Sequence, residues 1–226
     1  MTLILNIETA TKVCSVSVTK DGDELAVKDF HSENFTHSEN LNLFIQELFN
    51  QLEYTLNDLD AIAVSSGPGS YTGLRIGTSS AKGLCYGLNI PLIAIDSLKS
   101  LAARINEEEV DLICPMFDAR RMEVYCAIYQ KDLSVFQEVE AKVIDETSFL
   151  DLLEEHKILF IGPGSEKVQE VINHPNAIFN SEIPVSASGM NQLSYAKFQQ
   201  ESFEDVAYFE PNYLKDFIAG KPKKHF

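Results

Sequence analysis

Residues 65–101 read S-S-G-P-G-S-Y-T-G-L-R-I-G-T-S-S-A-K-G-L-C-Y-G-L-N-I-P-L-I-A-I-D-S-L-K-S-L, and this stretch decides the fold class. Asp60–Val64 is a short apolar strand, Gly67-Pro68-Gly69 turns the chain, Ser70 suits a helix N-cap, and Ile90–Ile95 is a second strand. Strand, loop, helix and strand in this order indicate an α/β protein. Within the helix, which runs to about Gly87, Gly73, Gly77, Ser80, Ala81 and Gly87 recur near helical spacing. Each glycine costs about 1 kcal/mol against alanine in a helix interior, so several on one side imply that another backbone comes close.

The flanking sequence extends the pattern. Leu3–Ile7 is an apolar strand. Val13, Ser15, Ser17 and Thr19 then alternate with Cys14, Val16 and Val18, as in a strand with one buried side. Asp21-Gly22 supports the positive φ angles of a tight hairpin, pairing Val13–Thr19 antiparallel with Glu24–Phe30. Thr36-x-x-Glu39 has capping-box spacing and opens a helix to about Glu53. Its apolar face, Leu41, Phe44, Ile45, Leu48, Phe49 and Leu52, is wider than one packing partner requires. Asp96–Arg104 forms a short helix. The second half repeats the plan with strands Leu112–Phe117, Met122–Tyr129 and Val135–Val143, helix Thr147–Glu155, strand Ile158–Ile161 and helix Ser165–Ile172, which suggests a duplicated fold. Asn173–Ser188 is rich in turn residues and receives no element; Met190–Gln199 reads as helix. The expected division is a first lobe at 1–104, a second at 105–213, and a tail at 214–226 that packs back on the first lobe.

Composition limits the function. A chain of 226 residues suits two modest lobes, and mean hydropathy of -0.08 with no apolar run near the ~20 residues of a membrane helix indicates a cytoplasmic protein. The opening residues read as a strand and not as a signal peptide. Cys14, Cys85, Cys114 and Cys126 are far apart with no C-x-x-C, as expected of reduced thiols. The formal charge of -16 opposes independent binding to a phosphate backbone. The short basic end Lys221-Pro222-Lys223-Lys224-His225 is a local exception.

Three loops carry candidate chemistry. Gly67-Pro68-Gly69-Ser70 joins a strand to a helix N-terminus, where Gly67 and Gly69 amides suit an anion, although no lysine completes a phosphate-loop signature. Glu8-Thr9-Ala10-Thr11 joins the first two strands and offers Glu8 and Thr9 to a phosphate or its magnesium. Asp118-Ala119-Arg120-Arg121 is the counterpart in the second half, with Asp118 and Arg120 in reach of a phosphate. Each also has a plain structural reading as a turn. No histidine pair has metal-ligand spacing, and no G-x-S-x-G elbow is present. These residues identify neither a catalytic group nor a metal site.

The segments I-E-T-A-T-K-V-C-S-V-S-V (7–18), G-P-G-S-Y-T-G-L-R-I-G-T-S-S-A-K-G-L (67–84) and D-A-R-R-M-E-V-Y (118–125) closely resemble the TsaB (YeaZ) family. The resemblance implies a two-lobed fold shared by actin, sugar kinases and heat-shock ATPases (ASKHA), each lobe a mixed sheet flanked by helices. It also implies a part in forming N6-threonylcarbamoyladenosine at adenosine 37 of tRNAs that read ANN codons. The family works with its catalytic paralogue TsaD, with the ATPase TsaE through that pair, and with TsaC, which makes the threonylcarbamoyl-adenylate donor.

Where the paralogue has N-H-L-E-G-H, this chain has Asp96-Ser97-Leu98-Lys99-Ser100-Leu101, so Ser97 and Leu101 stand in place of its metal-binding histidines. Ser186 corresponds to its aspartate ligand. A neutral hydroxyl, an isobutyl group and a second hydroxyl cannot make a tight divalent site. Ala119-Arg120-Arg121 replaces a glycine-rich turn, and Gly162-Pro163-Gly164-Ser165-Glu166-Lys167 replaces an adenosine-side G-G-x-x-x-N. The resemblance therefore implies a non-catalytic subunit needing no cofactor, with ATP or ADP bound weakly or only within the complex. The wide apolar face of the helix from Thr36 and the small-residue helix from Ser70 suggest the interface with TsaD, or with a second copy when the chain is alone, at Leu41, Phe44, Ile45, Leu48, Tyr71, Leu74, Thr78 and Ala81. The competing reading is an enzyme of the same superfamily, a metallopeptidase or an ATP-dependent phosphotransferase using Glu8, Thr9 and Asp118; a third is regulation by weakly bound nucleotide.

Overall fold

The computed structural model describes residues 1–32, 36–106 and 109–215. The first sheet contains β1 (Leu3–Glu8), β2 (Val13–Lys20), β3 (Asp23–His31), β4 (Ala61–Ser65) and β5 (Leu92–Ile95) in the order β3-β2-β1-β4-β5. β1 and β2 pair antiparallel, as do β2 and β3, whereas β1, β4 and β5 run parallel. Asp21 and Gly22 take φ of 52° and 91°, the left-handed geometry expected of the tight hairpin.

The second sheet contains β6 (Leu112–Asp118), β7 (Glu123–Gln130), β8 (Val135–Val143), β9 (Ile158–Ile161) and β10 (Ala177–Asn180) in the order β10-β9-β6-β7-β8. β6–β7 and β7–β8 pair antiparallel, and β6, β9 and β10 run parallel. Read from the opposite edge, this is the same topology, so the duplication expected from the sequence is present. β10 completes it, a strand hidden in the turn-rich stretch left unassigned.

Helices α1 (His37–Phe49) and α2 (Tyr71–Leu88) cover one face of the first sheet, burying Leu41, Ile45, Leu48 and Ala81 on Leu5, Ile7, Val16 and Val64. α4 (Leu150–Glu155) and α5 (Ser165–Gln169) cover the matching face of the second with Leu153 and Val168. The remaining helices cross over. α3 (Ser97–Ala102) follows the first sheet but places Leu98, Leu101 and Ala102 against Ile113, Phe117 and Tyr129 of the second. Conversely, the turn at 187–190 and α6 (Asn191–Gln199) follow the second sheet but bury Ala187 and Met190 on Ile4, Ala61 and Ile93 of the first. Each lobe is thus closed by a helix from the other half. The sequence boundaries at 104 and 213 follow chain order and miss this exchange.

The exchange also explains the polar stripe on β2. Ser15, Ser17 and Thr19 are fully buried, not solvent-facing as a strand with one buried side requires. Ser15 Oγ accepts the Ala187 N–H at 2.7 Å, Ser17 Oγ donates to Asn191 Oδ1 at 2.7 Å, and Asn6 Nδ2 donates to the same oxygen at 3.0 Å. A hydroxyl-bearing face covered by a returning segment must be hydrogen bonded, because unpaired buried polar groups are costly.

Several expected helix boundaries differ: α4 begins at Leu150 and not Thr147, and α5 ends at Gln169 and not Ile172. Thr36 precedes α1 without a side-chain cap bond, and α1 stops at Phe49, short of Glu53. Ser70 does cap α2, its Oγ accepting the Gly73 N–H at 3.2 Å. After α6 the chain returns along the first lobe. Glu204 N–H donates to the Leu92 carbonyl at 2.9 Å, covering the free edge of β5, and Lys82 Nζ donates to the carbonyls of Ala207 and Phe209 at 3.0 and 3.1 Å. Asn212 N–H then reaches the Ser66 carbonyl at 2.7 Å. The basic end at 221–225 lies outside the described residues.

Candidate functional site

β1 ends at Glu8, whose side chain is fully buried where the lobes meet. Its Oε1 accepts the Ala10 N–H at 2.6 Å, and the Thr9 N–H donates to Ser65 Oγ at 3.2 Å, so residues 8–11 form a fixed turn. Burial, with a smaller push from the Asp96 carboxylate, raises the Glu8 pKa to about 7 despite the hydrogen bonds from Ala10 and Ser65. Burial likewise raises Asp96, whose Oδ1 accepts the Lys99 N–H at 2.8 Å and the Tyr129 hydroxyl at 3.2 Å. His37 at the start of α1 donates from Nε2 to the Thr11 carbonyl at 2.8 Å, and burial lowers its pKa.

The loop at 67–70 closes on this turn. Ser70 N–H donates to the Ala10 carbonyl at 2.6 Å, Gly67 N–H to Ser97 Oγ at 3.0 Å, and Gly73 N–H to Ser70 Oγ. Of the amides that would cradle a phosphate, those of Gly67 and Ser70 are already paired. A Cβ at Gly69 would strike the Ala10 carbonyl oxygen, and one at Gly67 would lie 2.6 Å from the Asn212 oxygen. In α2, Cβ atoms at Gly73 and Gly77 would collide with the carbonyl and hydroxyl of Thr9. The backbone approach expected from these glycines is therefore internal: α2 lies directly on the 8–11 turn.

Glu8, Thr9, Gly67 and Gly69 come together there, but Asp118 and Arg120 do not join them. They sit on the exposed hairpin between β6 and β7, where Lys167 Nζ donates to Asp118 Oδ1 at 2.6 Å and to the carbonyls of Arg121 and Glu123 at 2.7 and 2.6 Å. Partial burial pushes the Asp118 carboxyl up, but the Lys167 ammonium and the Arg120 N–H outweigh it and leave the pKa below its ordinary value. An enzyme using Glu8, Thr9 and Asp118 together has no support in this arrangement. Between the two groups, Ala10, Val13 and Leu74 of the first lobe pack in one buried cluster with Leu98, Phe117, Tyr129 and Leu159. The second glycine loop is filled the same way, with a Cβ at Gly164 falling 2.8 Å from Phe117 backbone carbon.

The positions matching the paralogue's metal ligands have structural partners. Ser97 is fully buried and bonded through Oγ to Gly67, Leu101 is buried among the apolar side chains between the lobes, and Ser186 Oγ accepts the Ser188 N–H at 3.1 Å. Two hydroxyls fixed by backbone and one isobutyl group do not fit a divalent cation.

The interface residues named from helical amphipathicity need correction. Leu41, Phe44, Ile45, Leu48, Leu74, Thr78 and Ala81 are buried in the chain's own cores, and Tyr71 is half-buried against Tyr213 with ring centroids 4.8 Å apart. The wide apolar face of α1 is satisfied internally, since Phe44 packs edge-on against Phe30 of β3 at 5.7 Å. The exposed face of α2 instead presents Thr72, Arg75, Ser79, Gly83, Tyr86 and Gly87, with Leu43 of α1 53% exposed and Tyr86 86% exposed. Gly83 and Gly87 have open space where a Cβ would stand, so no intramolecular contact accounts for them. Lys167 and Tyr213 also escaped sequence reading, because their partners lie far away in the chain.

A family model described as TsaD: tRNA N6-adenosine threonylcarbamoyltransferase matches residues 33–224. The tRNA threonylcarbamoyladenosine biosynthesis protein TsaB of Escherichia coli (strain K12) is 35% identical over 225 residues, covering 96% of each chain. The chain belongs to the TsaB (YeaZ) family. The TsaB protein of Bacillus subtilis (strain 168) is 34% identical over 173 residues, 75% of this chain and 74% of its own. YeaZ from Pseudomonas aeruginosa, at 24% identity, superposes with a TM-score of 0.83 over 95% of this chain and 100% of its own, a likeness of fold. The TsaB resemblance of segments 7–18, 67–84 and 118–125 and the ASKHA-like α/β fold are both borne out. Among the described residues no helix is long and apolar enough to cross a membrane.

Proposed function

We propose that this chain is the non-catalytic subunit of the assembly that transfers a threonylcarbamoyl group to N6 of adenosine 37 in tRNA. A role in forming threonylcarbamoyladenosine follows from the TsaB relatives, which are named for that biosynthesis. The non-catalytic part rests on one observation: Ser97, Leu101 and Ser186, where the catalytic paralogue carries its metal ligands, are occupied in holding this fold together. The paired Gly67 and Ser70 amides support the further reading that the chain needs no nucleotide of its own.

In this proposal the partner is TsaD, docked on the exposed side of α1 and α2, with TsaE joining the pair and TsaC supplying the donor. A second copy takes the same place when the chain is alone. Gly83 and Gly87 favour this face, because a helix glycine costing about 1 kcal/mol with no internal contact suits close approach by another chain. Size-exclusion chromatography with TsaD tests it. The wild-type chain should co-elute, and Gly83→Arg, which has room in the free fold, should elute apart while keeping its thermal unfolding midpoint. Co-elution of Gly83→Arg equal to wild type would remove this face as the interface.

A further inference from the structure

A row of alternating cations and rings follows the returning chain at 213–215 across the outside of the junction between the lobes. The Arg75 guanidinium lies 4.9 Å from the Tyr71 ring centroid, and Tyr71 packs on Tyr213. Two residues further, the Lys215 ammonium lies 5.7 Å from the Tyr125 ring and pairs with Glu123. Arg120 lies on the hairpin that opens the strand carrying Tyr125, its carbonyl accepting the Glu123 N–H at 3.2 Å. The row therefore runs from α2 of the first lobe to the β6–β7 hairpin of the second. Facing carboxylates are Glu123, paired with Lys215, Glu210 beside Tyr213, and Asp118, held by Lys167. In a chain with 34 acidic residues against 18 Lys and Arg, such a local cluster of cations is distinctive. The next cations along the chain are Lys221, Lys223 and Lys224.

The hairpin adds an independent observation. Arg120 and Arg121 have φ of 71° and 51°, left-handed conformations that bulky residues seldom adopt in succession. Lys167 holds this turn with two donors on the backbone carbonyls of Arg121 and Glu123 and one on the Asp118 carboxylate. Asparagine or glycine would sit there with less strain, so packing does not explain two exposed arginines.

We propose that a strand of RNA lies along the second-lobe end of this row, beside the face of α2 assigned to TsaD, with phosphates on Arg120 and Arg121 and unstacked bases on the Tyr125 and Tyr213 rings. Single-stranded nucleic acid is held by this combination of cations and aromatic platforms. An acidic protein surface would use the cations and leave the rings without a role. The inference rests on the tRNA-modification reading above and names the face of the subunit that meets tRNA.

The test measures binding of unmodified tRNA to the TsaD complex containing either the wild-type chain or Arg120→Asn/Arg121→Asn, which keeps the turn while removing both charges. Affinity should fall about tenfold or more, and the slope of log K against log salt should flatten by about 1.4 to 1.8, for two lost phosphate contacts. Tyr213→Ala should weaken binding about tenfold at unchanged slope. Unchanged tRNA affinity for all variants in an intact complex overturns the proposal. Loss of TsaD binding by the double-asparagine variant also overturns it, assigning the row to a protein partner. Should the wild-type chain fail to bind TsaD, the subunit reading fails separately. Ultraviolet crosslinking of the isolated chain to a uridine-rich oligoribonucleotide at low salt then decides the row: crosslinks at Tyr125 or Tyr213 support it, and crosslinks only elsewhere, or none, overturn it.

Discussion

Glu8 shows how burial alters a residue that sequence alone reads as polar and available. Its carboxyl has a pKa near 7 in the folded protein and an ordinary value of 4.5, so the folded state holds the proton more tightly. Stability from this group is fully present below pH 4.5 and is lost as pH rises towards 7, by about 3 kcal/mol for a shift of this size. His37 acts in the opposite sense. Its lowered pKa makes the fold lose stability as pH falls below 6.5. Glu8→Gln should therefore raise the unfolding free energy by about 1–3 kcal/mol at pH 7.5 and change it little at pH 4.5, as read by urea denaturation. An equal effect at both pH values would remove the buried-acid account. The glycines of α2 divide just as sharply. Gly77→Ala drives a methyl into Thr9 and should cost about 1–3 kcal/mol, partly restored by Thr9→Ala, whereas Gly83→Ala should stabilise the isolated chain by up to about 1 kcal/mol. Melting temperatures of the variants check the contrast.

Among the elements, the β6–β7 hairpin offers the clearest stability test. Replacing Arg120 and Arg121 by asparagine should raise the unfolding free energy by about 1 kcal/mol, because asparagine tolerates left-handed backbone better. A marked fall in melting temperature would show that the arginine side chains themselves support the hairpin. Most elements were readable from period and turn chemistry: the Asp21-Gly22 hairpin, the Ser70 cap and the strands up to β9. β10 was not, since four residues among turn formers carry no period of their own and become a strand only by pairing with β9. The polar face of β2 and the apolar face of α1 were misjudged for one reason. Local pattern shows that a face is polar or apolar, but the segment that covers it, 187–191 for Ser15 and Ser17 or Phe30 for Phe44, arrives through tertiary folding. The candidate site followed the same rule. The glycine loop and the 8–11 turn were recognised as neighbours of interest, but that each fills the other follows only from their packing.

In the whole molecule, two copies of one sheet topology exchange their last helices and pack the junction between them. Asp96 caps α3 and also binds Tyr129 of the second sheet, while residues 211–215 join Ser66 and Tyr71 to Glu123. These ties across the junction support the proposed reading of the chain as a subunit that presents surfaces to a partner. The formal charge of -16 weakens RNA binding by the chain alone, and in the proposed reading its few clustered cations act at full strength beside a partner. The most direct measurement is the rate of threonylcarbamoyladenosine formation in unmodified tRNA by TsaC, TsaD and TsaE with threonine, bicarbonate and ATP, in the presence or absence of this chain. The account predicts modification only when the chain is present and full activity from a Ser97→Ala chain that still binds TsaD; equal modification without the chain would contradict it.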